Sequence, residues 1–156
     1  MAGARQKARI LALQALYEAD TAHHSPAEAV ERLLLETKLA AEAQSFARAL
    51  VAGVIREREP IDAAIRTAAP LWPLEQVAVV DRNILRIAIE EILFSEGMAG
   101  QSHLPAEVVI NEAVELGKLF GAESSARFIN GVLGTINSRR SGELAAMAGD
   151  QSQSKS

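Results

Sequence analysis

The sequence predicts an all-α protein, a compact single-domain bundle of about seven helices. Three observations predict it. Ala, Leu, Glu, Arg and Gln are abundant, and all favour helix. No alternating run of Val, Thr and aromatic residues lies between turn residues, so strand signals are scarce. Apolar residues recur at helical spacing from segment to segment. A chain of 156 residues fits one domain. We expect a helical domain over residues 1–140 and a disordered tail over 141–156.

The elements follow in order. Residues 4–20 form a first helix, with Ile10, Leu13 and Tyr17 on one stripe and Leu16 at its edge. Ser25-Pro26-Ala27-Glu28 is a capping box with proline at the first helical position. It opens a helix carrying Val30, Leu33 and Leu34, with Leu35 at the margin of that set. A third helix over about 40–58 carries Phe46, Leu50, Val51, Val54 and Ile55, with Gly53 inside it. Pro60 stops that helix and starts a short one through Ile61 and Ile65, which Pro70 ends. Leu71-Trp72-Pro73 reads as a rigid connector. Residues 74–96 read as the central element, because Ile84, Leu85, Ile87, Ala88, Ile89, Ile92 and Phe94 cover most of a helix surface. Gly97-Met98-Ala99-Gly100 ends it. Pro105 opens a helix through Val108, Val109, Ala113, Leu116 and Phe120, closed by Gly121. The last helix runs over about 124–137, and apolar periodicity is gone after Met147.

Charge divides the chain unevenly. The formal net charge is −4, yet residues 1–17 carry Arg5, Lys7 and Arg9 and no acid, leaving −7 on the rest. An acidic body with a basic arm suits a polyanion at the arm and a basic protein elsewhere. The absence of cysteine excludes disulfides, thiolate metal sites and cysteine nucleophiles. No apolar run approaches the roughly 18 residues of a membrane span, so a soluble cytoplasmic protein is expected.

Catalytic constellations are missing from the sequence. His23 and His24 are loop neighbours without ligands at metal-binding spacing, and His103 is alone in a loop. No Gly-x-Ser-x-Gly elbow and no glycine-rich phosphate loop occurs. Glu90 and Glu91 point to different faces of a helix, and Arg86 with Glu90 at i, i+4 suggests a solvated ion pair. The reading is therefore a non-enzyme without cofactor or metal.

Five segments carry a family resemblance. They are Ala8-Arg9 leading into Ala12-Leu13-Gln14-Ala15-Leu16-Tyr17, then Leu50-Val51-Ala52-Gly53-Val54, then Asp81-Arg82-Asn83-Ile84-Leu85-Arg86-Ile87-Ala88-Ile89-Glu90-Glu91. The stretch Pro105-Ala106-Glu107-Val108-Val109-Ile110-Asn111-Glu112-Ala113 through Phe120-Gly121 follows, and Arg127-Phe128-Ile129-Asn130-Gly131-Val132-Leu133 completes the set. In this order they resemble the transcription antitermination factor NusB family. The resemblance implies an all-helical RNA-binding protein that pairs with NusE, a small-subunit ribosomal protein. It implies that the pair binds single-stranded boxA RNA in ribosomal RNA leaders. With NusA and NusG the pair would help RNA polymerase resist termination, without cofactor or catalysis. The resemblance permits both monomers and homodimers. Two other readings compete: a detached RNA-targeting domain like that of ribosomal RNA cytosine methyltransferases, and a helical adaptor that binds only protein.

Candidate site residues divide into two groups. Arg5 and Arg9, at i, i+4, share a face with Lys7 opposite, and a flexible arm bearing them would grip phosphates. Three such contacts predict a log–log salt slope of about −2 on single strands. Ser124 lies one turn before Phe128, which either caps the core or stacks on a base; the resemblance favours RNA contact. Tyr17, by spacing a core tyrosine with its hydroxyl at the rim, lies towards the NusE side by resemblance. Asp81 does too, and it could also cap the central helix. Gly131 reads as a site of close backbone packing. The chain departs from the family pattern where Gln6 and Ala8 interrupt the basic cluster, where Ser124 replaces a frequent acid, and where Glu90 replaces a frequent tyrosine.

Overall fold

The computed structural model describes residues 3–95 and 104–153. These form α1 (Ala4–Ala22), α2 (Pro26–Glu36), α3 (Ala41–Arg56), α4 (Arg58–Ala68), α5 (Val79–Ile89), α6 (Ala106–Phe120) and α7 (Ser125–Gln153). A 3-10 turn (Leu74–Gln76) precedes α5, and a π turn (Glu90–Phe94) extends it. No strand occurs among the described residues. His103 and the Gly97–Gly100 segment lie outside them.

Helix ends follow local chemistry. Ser25 Oγ accepts from the Glu28 N–H at 3.4 Å with Pro26 opening α2, as the capping box predicts. The break between α3 and α4 falls at Glu57, three residues before the expected one. Pro60 therefore sits in the first turn of α4, where its missing N–H costs no intrahelical bond. His23 closes α1 at φ 57°, a left-handed position rare outside glycine. At the α6–α7 corner, a Cβ on Gly121 would run into the Ser125 side chain, whose Oγ caps the turn by accepting from the Ala122 N–H at 2.8 Å.

Three expectations are corrected. α7 does not stop near Asn137 but continues to Gln153; Leu144, Ala145, Ala146 and Met147 are strong helix formers. Gly131 has open space around it, and the close approach is made instead by Gly117, where a Cβ would lie 2.8 Å from Ile129 Cδ1. Asp81 is not the cap of α5: Ala78 holds that position, and Asp81 lies in the first turn.

The core is built around α5. Ile84, Leu85, Ile87, Ala88 and Ile89 are all buried, as an apolar circumference requires, and α1, α3, α4, α6 and α7 pack against the helix. Leu50, Val51 and Val54 of α3, Leu116 of α6, and Ile129 and Leu133 of α7 complete this core. α1 runs antiparallel to α5: Arg9 meets Glu91 at one end, and Asp20 meets Asn83 and Arg86 at the other.

Candidate nucleic-acid interface

The basic end of α1 is ordered helix from Ala4, so the flexible arm is corrected to a fixed one. Arg9 is 3% exposed and its guanidinium is fully committed. Nε and Nη2 each donate at 2.8 Å to the two oxygens of Glu91, and Nη1 donates to Gln6 Oε1 at 3.3 Å. The Glu112 carboxylate lies 3.9 Å away. A cation taken this far from water must be paired, and a bidentate fork is the strongest pairing available. Arg9 is thus withdrawn from phosphate contact; it holds the start of α1 against the π turn. Arg5 and Arg9 do share a face: their guanidiniums lie 5.3 and 5.4 Å from the Phe46 ring centroid. Arg5 is half-buried there, and Lys7 is exposed on the opposite side.

A second polar cluster locks the other end of α1. Arg86, also buried, donates to Asp62 at 2.9 and 3.2 Å, to Asp20 at 3.0 Å and to Asn83 at 3.2 Å. Burial pushes the Asp20 carboxyl up, but the Asn83 hydrogen bond and the guanidiniums of Arg86, Arg58 and Arg82 outweigh it, so its pKa ends lowered. The expected Arg86–Glu90 pair does not form. Glu90 turns instead towards α3, fully buried against Gly53, where Arg56 Nη2 lies 3.6 Å away. Neither Glu90 oxygen has a hydrogen-bond partner, and burial raises its pKa to about 7.

Two grooves open beside the N-terminal end of α5. The first, about 260 Å³, is lined by Ile10, Leu13, Gln14, Tyr17, Val80 and Phe120. Tyr17 is 42% exposed on this apolar wall, so it is a surface residue and not a core one. The second, about 360 Å³, brings together Trp72, Val77, Asp81, Ser124, Arg127 and Phe128. Phe128 is partly buried, and its ring meets Trp72 edge to face at 6.2 Å and 72°. The structure thus joins Asp81 to Ser124 and Phe128 and separates it from Tyr17, since adjacent residues of α5 diverge by about 100°. Asp81 and Glu91 are ten residues apart, so the groove lies about 15 Å along the helix from the basic end of α1. Sequence reasoning missed Trp72 and Arg127. A single tryptophan between Pro70 and Pro73 was the available signal for the first, because a rigid connector presents an aromatic ring to solvent.

Among the described residues no group of three or more His, Asp or Glu side chains could hold a metal ion. None of their helices is long and apolar enough to cross a membrane. Exposed Lys7 and half-buried Arg5 at the start of α1, and exposed Trp72 beside partly buried Phe128 in the second groove, are the features of this helical bundle that suit an extended, charged partner.

Residues 6–138 match the model of the NusB family. The chain is 44% identical over 137 residues to the transcription antitermination protein NusB of Dehalococcoides mccartyi, covering 88% of this chain and 92% of that one. It is 45% identical over 139 residues to the NusB of a Roseiflexus species, covering 89% and 95%. Among solved structures, NusB of T. maritima aligns with a TM-score of 0.77 at 33% identity, covering 87% of this chain and 92% of that one. A NusB crystallised with NusE and double-stranded RNA aligns with a TM-score of 0.73 at 28% identity, covering 87% and 97%. The chain belongs to the NusB family.

Proposed function

We propose that this protein is a non-enzymatic RNA-binding transcription antitermination factor that joins NusE on boxA RNA in nascent ribosomal RNA leaders. The observation that carries the reading is the match over residues 6–138 to a family in which a member has been crystallised with NusE and RNA. The geometry supports it at two places. Lys7 and Arg5 offer cations at the start of α1, with Arg9 positioning them. Ser124 and Phe128 offer a hydroxyl and an aromatic ring in the second groove. A single strand lying along the bundle would touch both ends, its phosphates at the first and an unstacked base at the second. NusE would dock on the apolar groove around Tyr17, drawn by the acidic body; a second copy of the chain would compete for that groove. The assembly would act in the cytoplasm, with NusA, NusG and RNA polymerase as its further partners.

Electrophoretic shift with boxA-like and scrambled RNA, with and without NusE, tests this reading. A preference for boxA that strengthens with NusE is expected. No preference under either condition would overturn it.

A further inference from the structure

A third groove, about 370 Å³, runs along the seam between the end of α4 and the middle of α7. It meets the second groove at Trp72 and Phe128. Beyond that end its walls are small or aliphatic: Ala68, Pro70, Leu71, Gly131, Val132 and Thr135. Leu71 is 89% exposed, so an aliphatic side chain stands almost wholly in water beside the groove. A Cβ on Gly131 would meet nothing within 4 Å, so no packing within the chain calls for glycine there. Glycine inside a helix costs stability relative to alanine. What it permits is a close approach from outside.

Charge marks the same face. Residues 63–74 hold Arg66 and no acid, and residues 124–142 hold Arg127, Arg139 and Arg140 and no acid. These two stretches carry +4, in a chain whose remainder carries −8. Arg32, Arg48, Arg56, Arg58, Arg82 and Arg86 are each paired with a carboxylate. Among the described residues, none of Arg66, Arg127, Arg139 and Arg140 is. Arg127, Gly131, Thr135 and Arg139 follow one another at i, i+4, a single ridge of α7 about 18 Å long. At its far end Arg139 donates to the Thr67 carbonyl at 3.1 Å, and exposed Arg66 precedes Thr67 in α4. An apolar trough between unpaired arginines attracts a partner that is acidic and partly apolar. A basic protein would be repelled. Single-stranded nucleic acid binds by stacking on aromatic rings, and these walls offer none beyond the shared end.

We propose that the α4–α7 groove docks an acidic segment of a partner protein, whose aliphatic side chains fill the trough against Leu71 and Gly131 and whose carboxylates meet Arg66 and Arg139. The proposal goes beyond the RNA-binding reading and does not rest on it.

The probe is a labelled peptide of glutamate, alanine and leucine, with leucine at every third or fourth position and a length that spans the ridge. Anisotropy with the full-length protein reads its binding. A peptide with lysine in place of glutamate and an oligouridine are titrated in parallel. The acidic peptide is expected to bind about tenfold tighter than the lysine peptide. Arg66→Glu/Arg139→Glu is expected to weaken it about tenfold and to leave oligouridine affinity within about twofold. Leu71→Asp, at a site too exposed to affect folding, is expected to weaken it as well. Gly131→Leu is expected to fill the trough and abolish binding while the melting temperature holds or rises. Equal affinity for the acidic and lysine peptides, or binding untouched by the arginine and Leu71 variants, would overturn the proposal. An arginine variant that loses oligouridine as strongly as peptide would make the face a nucleic-acid track and overturn it too. So would a dimer in sedimentation that Leu71→Asp dissociates, since a second copy would then cover the groove. Failure of boxA RNA to bind would overturn the RNA-binding reading and leave this result standing.

Discussion

Arg9 lies in a stretch whose charge suggests RNA contact, in a position where the structure gives it another task. Arg9→Ala removes one partner of a pair in which both side chains are at least 94% buried. Glu91 would lose two 2.8 Å hydrogen bonds and remain enclosed as an uncompensated charge. Breaking a buried pair this way costs about 3–5 kcal/mol. Loss of the guanidinium from the Phe46 face adds about 0.5 kcal/mol or more. Domains are stable by only about 5–15 kcal/mol, so a large share would go. With a urea m-value of about 2 kcal/mol/M, a loss of 4 kcal/mol lowers the unfolding midpoint by about 2 M. The double variant Arg9→Met/Glu91→Met, which replaces both charges with apolar groups, should recover most of that shift. It should also retain RNA binding, since Arg5 and Lys7 remain. The argument fails if Arg9→Ala moves the urea midpoint by less than about 0.3 M while RNA affinity drops. That result would return Arg9 to the phosphate-binding group.

Three further outcomes are expected. Burial keeps Glu90 protonated in the native state up to about pH 7, whereas in the unfolded chain it titrates near 4.5. Between those values the native state binds the extra proton, so stability falls as pH rises through the window. Glu90→Gln should flatten that dependence and stabilise the protein by up to about 3 kcal/mol near pH 8, read from urea unfolding across pH; an unchanged slope would show Glu90 already charged. Gly53→Ala should cost about 1–3 kcal/mol, because the added methyl runs into Glu90 and lies 2.9 Å from its Cγ. Thermal unfolding reads that loss, and Glu90→Ala in the same chain should relieve it. Lys7→Ala should reduce the salt slope of RNA binding by about 0.7 while leaving the melting temperature unchanged. A slope that does not move would place the phosphate contacts elsewhere.

The helices were legible because their causes are local. Apolar spacing, the Ser25–Glu28 box and proline or glycine at the breaks lie within a few residues of the structure they produce. Even the exception at Glu57 differs by three residues. The central place of α5 was legible too, since a helix apolar around most of its surface has nowhere to go but the middle. Polar residues were harder. Their role depends on partners far along the chain, and charge alone does not say whether a group faces water or another charge. Arg86 illustrates this: a neighbour at i, i+4 was available, but Asp62 and Asp20 on other helices give it more hydrogen bonds in a drier place.

By itself, then, the sequence determined the helical class, the order of the elements, the core face of most of them and the family to which the chain belongs. The tertiary structure alone decided that Arg9 is spent on Glu91, 82 residues away, and that Glu90 is sealed against Gly53. It alone brought Trp72 to Phe128 and put Asp81 in their groove. Periodicity is a property of neighbours in sequence, whereas desolvation and ion pairing are properties of neighbours in space.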